Sequence, residues 1–330
     1  MNATRRFADW CASKDIHELA QVQPFHVAAF VHDLQDELSS PSVKQHLAAI
    51  RMLFDWLVTG HVIETNPAHS VRGPRYTVKK GKTPVLTAEE AHALLERALV
   101  DTHTVIAPDL RGLGLSSKPS GGYDKKTQSG DIAHVLDVLG VDRADFVTHD
   151  IGNMVGYAFA AAYPDRVRRF VLIDAPIPGI GPWEQVTQDP TMWQFGFGGP
   201  DMERLVDGRE RIYLDRFWNE YSLHPERFDE GKRQHYAELY SMPGAMRAGF
   251  AQFRAFPQDA IDNKALLAKG KLTMPVLAIG GESASGSMMA TVMRFAAENV
   301  EEAIVPDSGH WITEENPSAT TKLVIDFLNV

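Results

Sequence analysis

The sequence has little cysteine, no long hydrophobic run and no excess of basic residues. A single cysteine, Cys11, excludes an intrachain disulfide framework and any zinc site built on cysteines. No run of 18 or more apolar residues occurs, and the opening MNATRRFADW lacks the apolar stretch of a signal peptide. The net charge of -10 disfavours nucleic acid or anionic lipid as a partner of the whole chain. We therefore expect a cytoplasmic protein that does not bind a membrane.

The charges that are present divide the chain into two parts. Residues 1–100 contain 11 basic and 11 acidic side chains, so residues 101–330 carry the whole net charge. Between Glu64 and Glu89 there is no acid, yet five basic residues occur there, namely Arg72, Arg75, Lys79, Lys80 and Lys82. Such an asymmetry predicts two modules with different partners.

The hydrophobic pattern changes at the same place. Up to about residue 95, apolar residues recur at helical three- and four-residue steps, as they do from Val43 to Leu57. Later, helical stretches of ten or more residues separate most of the short apolar runs, which lie at 103–107, 145–148, 170–173, 275–279 and 302–305. This alternation predicts a parallel sheet covered on both faces. An aromatic-rich helical insertion at about 177–267 predicts a cap over one end of the sheet, or else a purely structural subdomain.

Three polar residues follow strands of this predicted sheet. Asp150 ends one strand just before a helix that begins near Gly152, and this predicts a sharp strand-to-helix turn whose first N–H groups stabilise an anion. An ordinary helix-capping Asp is the alternative. Asp174 follows the next strand and His310 follows the last one. Since the carboxyl ends of parallel strands meet at one edge, we expect the three side chains to lie together.

From about residue 97 to its end, the sequence resembles α/β-hydrolases of the epoxide hydrolase and haloacetate dehalogenase group. The motifs that carry this resemblance are TVIAPDLRGLG at 104–114, THDIG at 148–152, LIDAPIP at 172–178 and GHWITEE at 309–315. The resemblance implies an α/β-hydrolase fold with Asp150 as nucleophile, His310 as base and Asp174 as its orienting acid. Glu282 is the alternative acid. The resemblance implies no metal or other cofactor.

In such enzymes a carboxylate attacks a carbon that bears an epoxide oxygen or a halide, and water activated by His hydrolyses the resulting ester. Epoxide opening also needs a proton donor. The resemblance implies Tyr240 for that role, with Tyr236 second, and a small-molecule pocket lined by Trp193, Gln194 and Tyr236. The family's cap motif often carries His where this chain has Gln194, which leaves the choice between epoxide and halogenated substrate open.

One part of the family pattern is missing. No His-Gly-aromatic-Pro motif occurs, so the backbone N–H of Ile151 is the oxyanion donor that remains. The family's third strand, which lies between the strands at Thr104 and Phe146, is also absent. Because unpaired buried backbone groups are costly, we expect the strand around Val105 to pair with the strand around Val147 or with residues 84–86. A second copy of the chain, in a homo-oligomer, is the further alternative.

Residues 3–96 resemble the N-terminal core-binding domain of tyrosine recombinases (phage integrases). The motifs are SVKQHLAAIRMLFDWLV at 42–58, NPA at 66–68, VRGPR at 71–75 and KGKTPVLT at 80–87. That domain is a helical bundle that clamps duplex DNA, which implies phosphate contacts from Lys44, Arg51, Arg72, Arg75, Lys79, Lys80 and Lys82. A solvated basic linker at about 71–86 is the alternative.

The two resemblances together predict a fusion of a helical domain, residues 1–96, with a truncated α/β-hydrolase domain, residues 97–330. The catalytic groups of the recombinases belong to a domain that is lost after about residue 96, so strand transfer is excluded. The first hypothesis for the function is a hydrolase with an added helical domain. The second is a DNA-binding protein, or an inactive fusion product, whose hydrolase part is structural.

Overall fold

The computed structural model describes residues 3–16, 18, 21–38, 40–59, 62–63, 65–73, 99 and 103–329. The chain divides into two compact units, Met1–Val85 and Leu86–Val330. The boundary predicted after residue 96 and the segment 84–86 both lie outside the described residues. Among the residues that are described, no helix is both long enough and apolar enough to cross a membrane.

The first unit is helical, as the spacing of its apolar residues predicts. It contains α1 (Ala3–Ser13), α2 (Pro24–Glu37) and α3 (Ser40–Thr59). One aromatic residue from each helix meets in the core: the ring of Phe7 lies edge-on to Phe30 at 5.1 Å and to Phe54 at 5.9 Å. All three side chains are buried, so they close the three-helix core.

The basic residues of this unit have different environments. Arg51 is engaged within the unit, because its guanidinium donates hydrogen bonds to the carbonyl oxygens of Ala68, at 3.2 Å, and of Val71. It therefore holds the loop after α3 rather than projecting freely toward a phosphate. Arg72 is exposed. Of the other residues implied in DNA contact, the side chain of Lys44 and the whole of Arg75, Lys79, Lys80 and Lys82 lie outside the described part of the chain.

The second unit contains a parallel sheet flanked by helices, with β1 (Ala144–His149), β2 (Val167–Ile173), β3 (Val276–Gly281) and β4 (Val300–Val305). The described strands pair in the order β1-β2-β3-β4. The helices outside the cap are α4 (Lys125–Val138), α5 (Ile151–Ala162), α12 (Met288–Ala296), α13 (Ile312–Glu315) and α14 (Pro317–Leu328).

The inner strand β2 reads as a continuous apolar run because both of its faces are covered. Phe170 and Leu172 pack into the core that contains Phe159 of α5, whereas Val171 and Ile173 pack into the core on the opposite face. The helix α5 approaches the sheet closely. A Cβ atom on Gly156 would lie 2.9 Å from the ring of Phe170, so a larger residue would force that ring to shift.

The strand predicted around Val105 does not form, and its predicted pairing with the strand around Val147 is wrong. Residues 104–110 are irregular, Val105 is exposed, and within residues 103–329 no strand pairs with the outer edge of β1. Near the end of the segment, Asp109 bonds to the following turn: its Oδ2 accepts from Leu115 N and its carbonyl oxygen accepts from Ser116 Oγ, both at 2.8 Å. All six residues of β1 are only half-buried. Water can therefore reach this edge, which avoids the cost that motivated the prediction.

The insertion between β2 and β3, for which the sequence predicts a cap, is helical, as its pattern predicts. Its helices are α6 (Trp183–Gln188), α7 (Pro200–Val206), α8 (Glu210–Glu220), α9 (Glu230–Tyr240), α10 (Ala245–Arg254) and α11 (Phe256–Leu267). Aromatic rings join its parts: Tyr213 of α8 lies 6.1 Å from Trp193 and 5.5 Å from Phe250 of α10. These edge-to-face contacts give the cap an aromatic core of its own.

Candidate active site

The turn between β1 and α5 holds Asp150 in an unusual backbone conformation. Its φ of 50° and ψ of -120° place a residue with a Cβ in a region that costs about 1–3 kcal/mol. The side chain of Asn153 holds this turn against β2. Its Oδ1 accepts from Thr148 Oγ1 (2.8 Å) and Ile173 N (3.2 Å), and its Nδ2 donates to Ile173 O (2.8 Å). The strained turn therefore projects the Asp150 carboxylate from the end of the strand.

Asp174 and His310 meet at the same edge of the sheet. The buried Asp174 accepts hydrogen bonds at Oδ1 from the N–H groups of Gly281 (2.9 Å) and Ser285 (3.0 Å). Its Oδ2 accepts from His310 Nδ1 at 2.9 Å. The other imidazole nitrogen, Nε2, lies 3.9 Å from Asp150 Oδ2, which is an ion-pair contact longer than a hydrogen bond. The structure thus brings together the three residues that the sequence predicted to meet.

Electrostatic coupling favours charge on this group of residues. Burial lowers the pKa of His310, but its contacts with Asp150 and Asp174 outweigh burial and raise that pKa to about 10. Burial raises the pKa of Asp150, but the opposing effect of the His310 imidazolium is larger. The pKa of Asp150 is therefore below its ordinary value. At neutral pH the resting site therefore holds a carboxylate at Asp150 and an imidazolium at His310.

An oxyanion would find a donor beside Asp150. The backbone N–H of Ile151 is the first of α5, and within the described ranges it has no hydrogen-bond acceptor. The positive end of the helix dipole adds to its effect. The Asp150 side chain itself is 37% exposed, so a ligand can reach it from solvent.

The alternative acid, Glu282, lies elsewhere. Its Oε2 accepts a hydrogen bond from Asp307 N at 2.9 Å, on the loop that precedes His310. Asp174 is consequently the acid in contact with the His310 imidazole.

The two candidate tyrosines belong to α9. Burial and the negative charge of Asp150 raise the pKa of Tyr240 to about 12, so its hydroxyl keeps its proton. Tyr236 packs against Trp218 with ring centroids 5.9 Å apart, and burial raises its pKa as well, with Glu314 as the second cause. Of the two, only Tyr240 has its pKa shifted by the charge of Asp150.

The remaining predicted pocket residues lie in the cap. Trp193 is 40% exposed and carries the guanidinium of Arg216 over its ring at 4.6 Å. Gln194 is buried, and its Nε2 lies 3.2 Å from Tyr221 Oη. The backbone carbonyl of Tyr221 in turn accepts from His310 N at 2.8 Å. Gln194 is thereby joined through Tyr221 to the loop that carries His310.

Sequence reasoning missed His149, although it stands beside Asp150 in THDIG. Its Nε2 lies 2.9 Å from the carbonyl oxygen of His310 and donates to it. Burial, with the charge of His310 second, lowers the pKa of His149, so it is neutral beside the imidazolium. The adjacency to Asp150 is visible in the sequence, but the acceptor lies 161 residues away, and only the fold brings the two together.

No group of three or more His, Cys, Asp or Glu side chains in the described part of the chain could hold a metal ion.

Comparison with known proteins assigns each unit to a family. Residues 88–317 match the model of the alpha/beta hydrolase fold family, and residues 3–61 match that of the phage integrase N-terminal SAM-like domain. The chain belongs to the α/β-hydrolase fold family. Its amino-terminal residues are similar to the integrase SAM-like domain, so the chain matches two family models in separate segments.

The relatives of this α/β-hydrolase include epoxide hydrolases. A soluble epoxide hydrolase of a Corynebacterium species is 34% identical over 70% of this chain and 82% of its own length. A 2-hydroxy-6-oxo-2,4-heptadienoate hydrolase of Pseudomonas putida is 26% identical over 81% of this chain and 93% of its own. One similar solved structure is Cfl2 from Burkholderia cenocepacia, with a TM-score of 0.69 and 35% identity over 73% of this chain and 84% of that one. Another is the ligand-free epoxide hydrolase CorEH, with a TM-score of 0.65 and 31% identity over 72% of this chain and 86% of that one.

Proposed function

We propose that the hydrolase unit converts epoxides to diols through a covalent ester on Asp150. The observation that carries this proposal is a carboxylate, rather than a hydroxyl, at the strand-to-helix turn, 3.9 Å from a His310 that is hydrogen-bonded to Asp174. The names of two relatives, the Corynebacterium enzyme and CorEH, support an epoxide as the substrate class.

In the first step an Asp150 oxygen attacks a ring carbon and the carbon–oxygen bond of the epoxide breaks. The departing oxygen takes the hydroxyl proton of Tyr240, so the products are an alkyl ester and a neighbouring hydroxyl group. Tyr240 suits this role because its raised pKa of about 12 keeps the proton in place until the alkoxide develops.

Ester formation prepares the second step. It removes the charge of Asp150, one of the two carboxylates that raise the pKa of His310. The imidazolium can then release its proton, which restores Tyr240, and the neutral His310 becomes a general base.

In the second step His310 takes a proton from a water whose oxygen attacks the ester carbonyl carbon. The oxyanion forms beside the N–H of Ile151. When the intermediate collapses, the bond breaks between the carbonyl carbon and the bridging ester oxygen, which is the Asp150 oxygen that attacked the ring. That oxygen takes the proton of the new carboxyl group, which releases the diol and returns Asp150 to a carboxylate.

A single turnover in water labelled with heavy oxygen tests the proposal. With a small aryl epoxide and excess protein, we expect the label in the Asp150 carboxylate, since water attacks the carbonyl and not the substrate carbon. Asp150→Asn should form no diol, whereas Asp142→Asn, a matched change at an exposed acid near β1, should behave as the parent. Label found only in the diol would contradict the ester, and turnover of haloacids but no epoxide would move the substrate to the halogenated class.

We also propose that the SAM-like domain binds duplex DNA through phosphate contacts, as the second candidate function. The family match at residues 3–61 and the acid-free basic segment support it. Arg51 is left out of the contact set because it is bound to Ala68 and Val71. The proposed set is Arg72, Arg75, Lys79, Lys80 and Lys82.

Salt dependence tests this second function. Five phosphate contacts predict that log K for the full chain falls with log salt with a slope of about -4.5. Changing all five residues to Gln should remove most of that slope, while the charge-preserving pair Arg72→Lys and Arg75→Lys should keep it. Two results would refute the proposal: DNA binding whose affinity does not change with salt, or the absence of DNA binding at low salt.

A further inference from the structure

A buried carboxylate outside the catalytic group joins two segments of the hydrolase unit. Glu315, the last residue of α13, is 3% exposed and accepts three backbone hydrogen bonds. Its Oε1 accepts from Gly309 N at 3.1 Å, and its Oε2 accepts from Leu223 N at 2.8 Å and His224 N at 2.9 Å. An ionised carboxylate is acceptor-only, so three N–H donors match its hydrogen-bonding capacity. One of these donors belongs to the loop that carries His310, and the other two belong to the cap.

The same two segments also touch directly. His310 N donates to the carbonyl of Tyr221 at 2.8 Å. At Gly309 the backbones are so close that a Cβ atom would lie 2.5 Å from Tyr221 O and 2.7 Å from Leu223 N. The amides of Gly309 and His310 therefore both donate hydrogen bonds, to Glu315 and to Tyr221, where the two backbones pack closely.

The contacts that surround Glu315 are of a weaker kind. Asp307 lies 2.6 Å from both His224 Nε2 and a guanidinium nitrogen of Arg227, but its side chain is 56% exposed. Exposed pairs of this kind contribute little. Glu315 is therefore the buried side chain that accepts hydrogen bonds from both cap and loop, beside the neutral hydrogen bonds from His310 N to Tyr221 O and from Trp311 Nε1 to Phe217 O (3.1 Å).

We propose that Glu315 is a positioning residue for His310, because its carboxylate fixes the base-bearing loop against the cap segment 221–224. This inference rests on the proposed function, in which His310 acts only after the ester has formed. Asp150 is held separately, by its turn and by Asn153. Glu315 should thus govern hydrolysis of the ester and leave alkylation nearly untouched.

The substitution Glu315→Gln separates these two steps. Gln has the same size, but its NH₂ group would face an N–H donor, so at least one of the three amides loses its acceptor. A misplacement of about 1 Å can cost roughly 100-fold in rate. We expect ester hydrolysis to slow by about 10- to 100-fold and alkylation by less than about threefold, so that kcat and KM fall together and the Asp150 adduct accumulates.

The pH profile supplies a readout that mere destabilisation would not move. Loosening the loop weakens the contact of His310 with Asp174, which is one cause of its raised pKa. The acidic limb of ester hydrolysis should therefore move to lower pH in Glu315→Gln. Glu226→Gln makes the same chemical change at a 73% exposed residue of the same region and should leave both rates and the profile unchanged.

Hydrogen exchange of the full chain tests the connection without relying on activity. In Glu315→Gln the peptides around 219–226 and 307–316 should exchange faster together, and in Glu226→Gln they should not. If the parent forms no adduct with any epoxide, the proposed function fails while this exchange result still stands. Faster exchange with unchanged ester hydrolysis, or an equal loss of both steps, would overturn the positioning role.

A second variant covers the case in which Glu315→Gln does not fold. Glu315→Asp keeps the charge, but it is one methylene shorter and cannot reach both segments. In this variant too, ester hydrolysis should slow more than alkylation, but by a smaller factor than in Glu315→Gln. Ester hydrolysis within twofold of the parent in this variant would overturn the proposal.

Discussion

A His310→Gln variant should gain the mass of an aryl epoxide on Asp150 and keep it. Alkylation needs only the carboxylate and a proton donor, whereas hydrolysis of the ester needs a base, and His310 is the imidazole placed beside Asp150. General base catalysis contributes about 10²–10⁴-fold, so we expect ester hydrolysis to slow by that factor. Mass spectrometry of the intact protein, followed by peptide mapping, locates and times the adduct.

The parent protein should also accumulate some ester. The family's His-Gly-aromatic-Pro loop is absent from the sequence, so Ile151 N–H stands without its usual companion donor. Losing one such donor costs about 2.7–4 kcal/mol, or roughly 10²–10³ in rate, at the step that forms the oxyanion. His134→Gln, the same substitution at an exposed residue of α4, should accumulate as much ester as the parent. Absence of an Asp150 adduct from both parent and His310→Gln, across epoxides and haloacids, would refute the assignment.

The second large effect should come from stability. Lys125 and Asp259 form a fully buried ion pair at 3.2 Å, and Lys125 Nζ also donates to the carbonyls of Gln252 (2.8 Å) and Tyr123 (3.2 Å). Burial lowers the pKa of Lys125 and raises that of Asp259, so each depends on the other to remain charged. Lys125→Met should lower the free energy of unfolding by about 3–5 kcal/mol, because it leaves the Asp259 carboxylate buried and unpaired.

Urea unfolding followed by near-ultraviolet circular dichroism measures this loss, with separate transitions fitted for the two units. The double variant Lys125→Met with Asp259→Leu should recover a large part of it, since no charge then remains buried. Lys126→Met, at the exposed neighbouring position, should change stability by less than about 0.5 kcal/mol. A loss in Lys125→Met no larger than that in Lys126→Met would contradict the expected cost of the broken pair.

Local patterns were sufficient for most elements of the fold. The apolar run predicted β2, and the helical spacing of apolar residues predicted α3. Both patterns lie within a few neighbouring residues of the sequence, because each records which faces of one element are buried. The segment around Val105 has the same local appearance, yet it is not a strand. A strand needs a partner for its backbone groups, and the composition of the segment carries no information about whether one is available.

By itself, the sequence indicated the chain's resemblance to two families and the strand ends at which the candidate catalytic residues lie. Asp150, Asp174 and His310 each follow a strand, and the order of parallel strands brings such positions to one edge. Only the tertiary structure decided that Asp174 and not Glu282 contacts His310, that Glu315 and His149 hold the loop of His310, and that Lys125 pairs with Asp259. These contacts join residues far apart in the chain, and their hydrogen bonds depend on separations of about 3 Å that only the packed backbone sets.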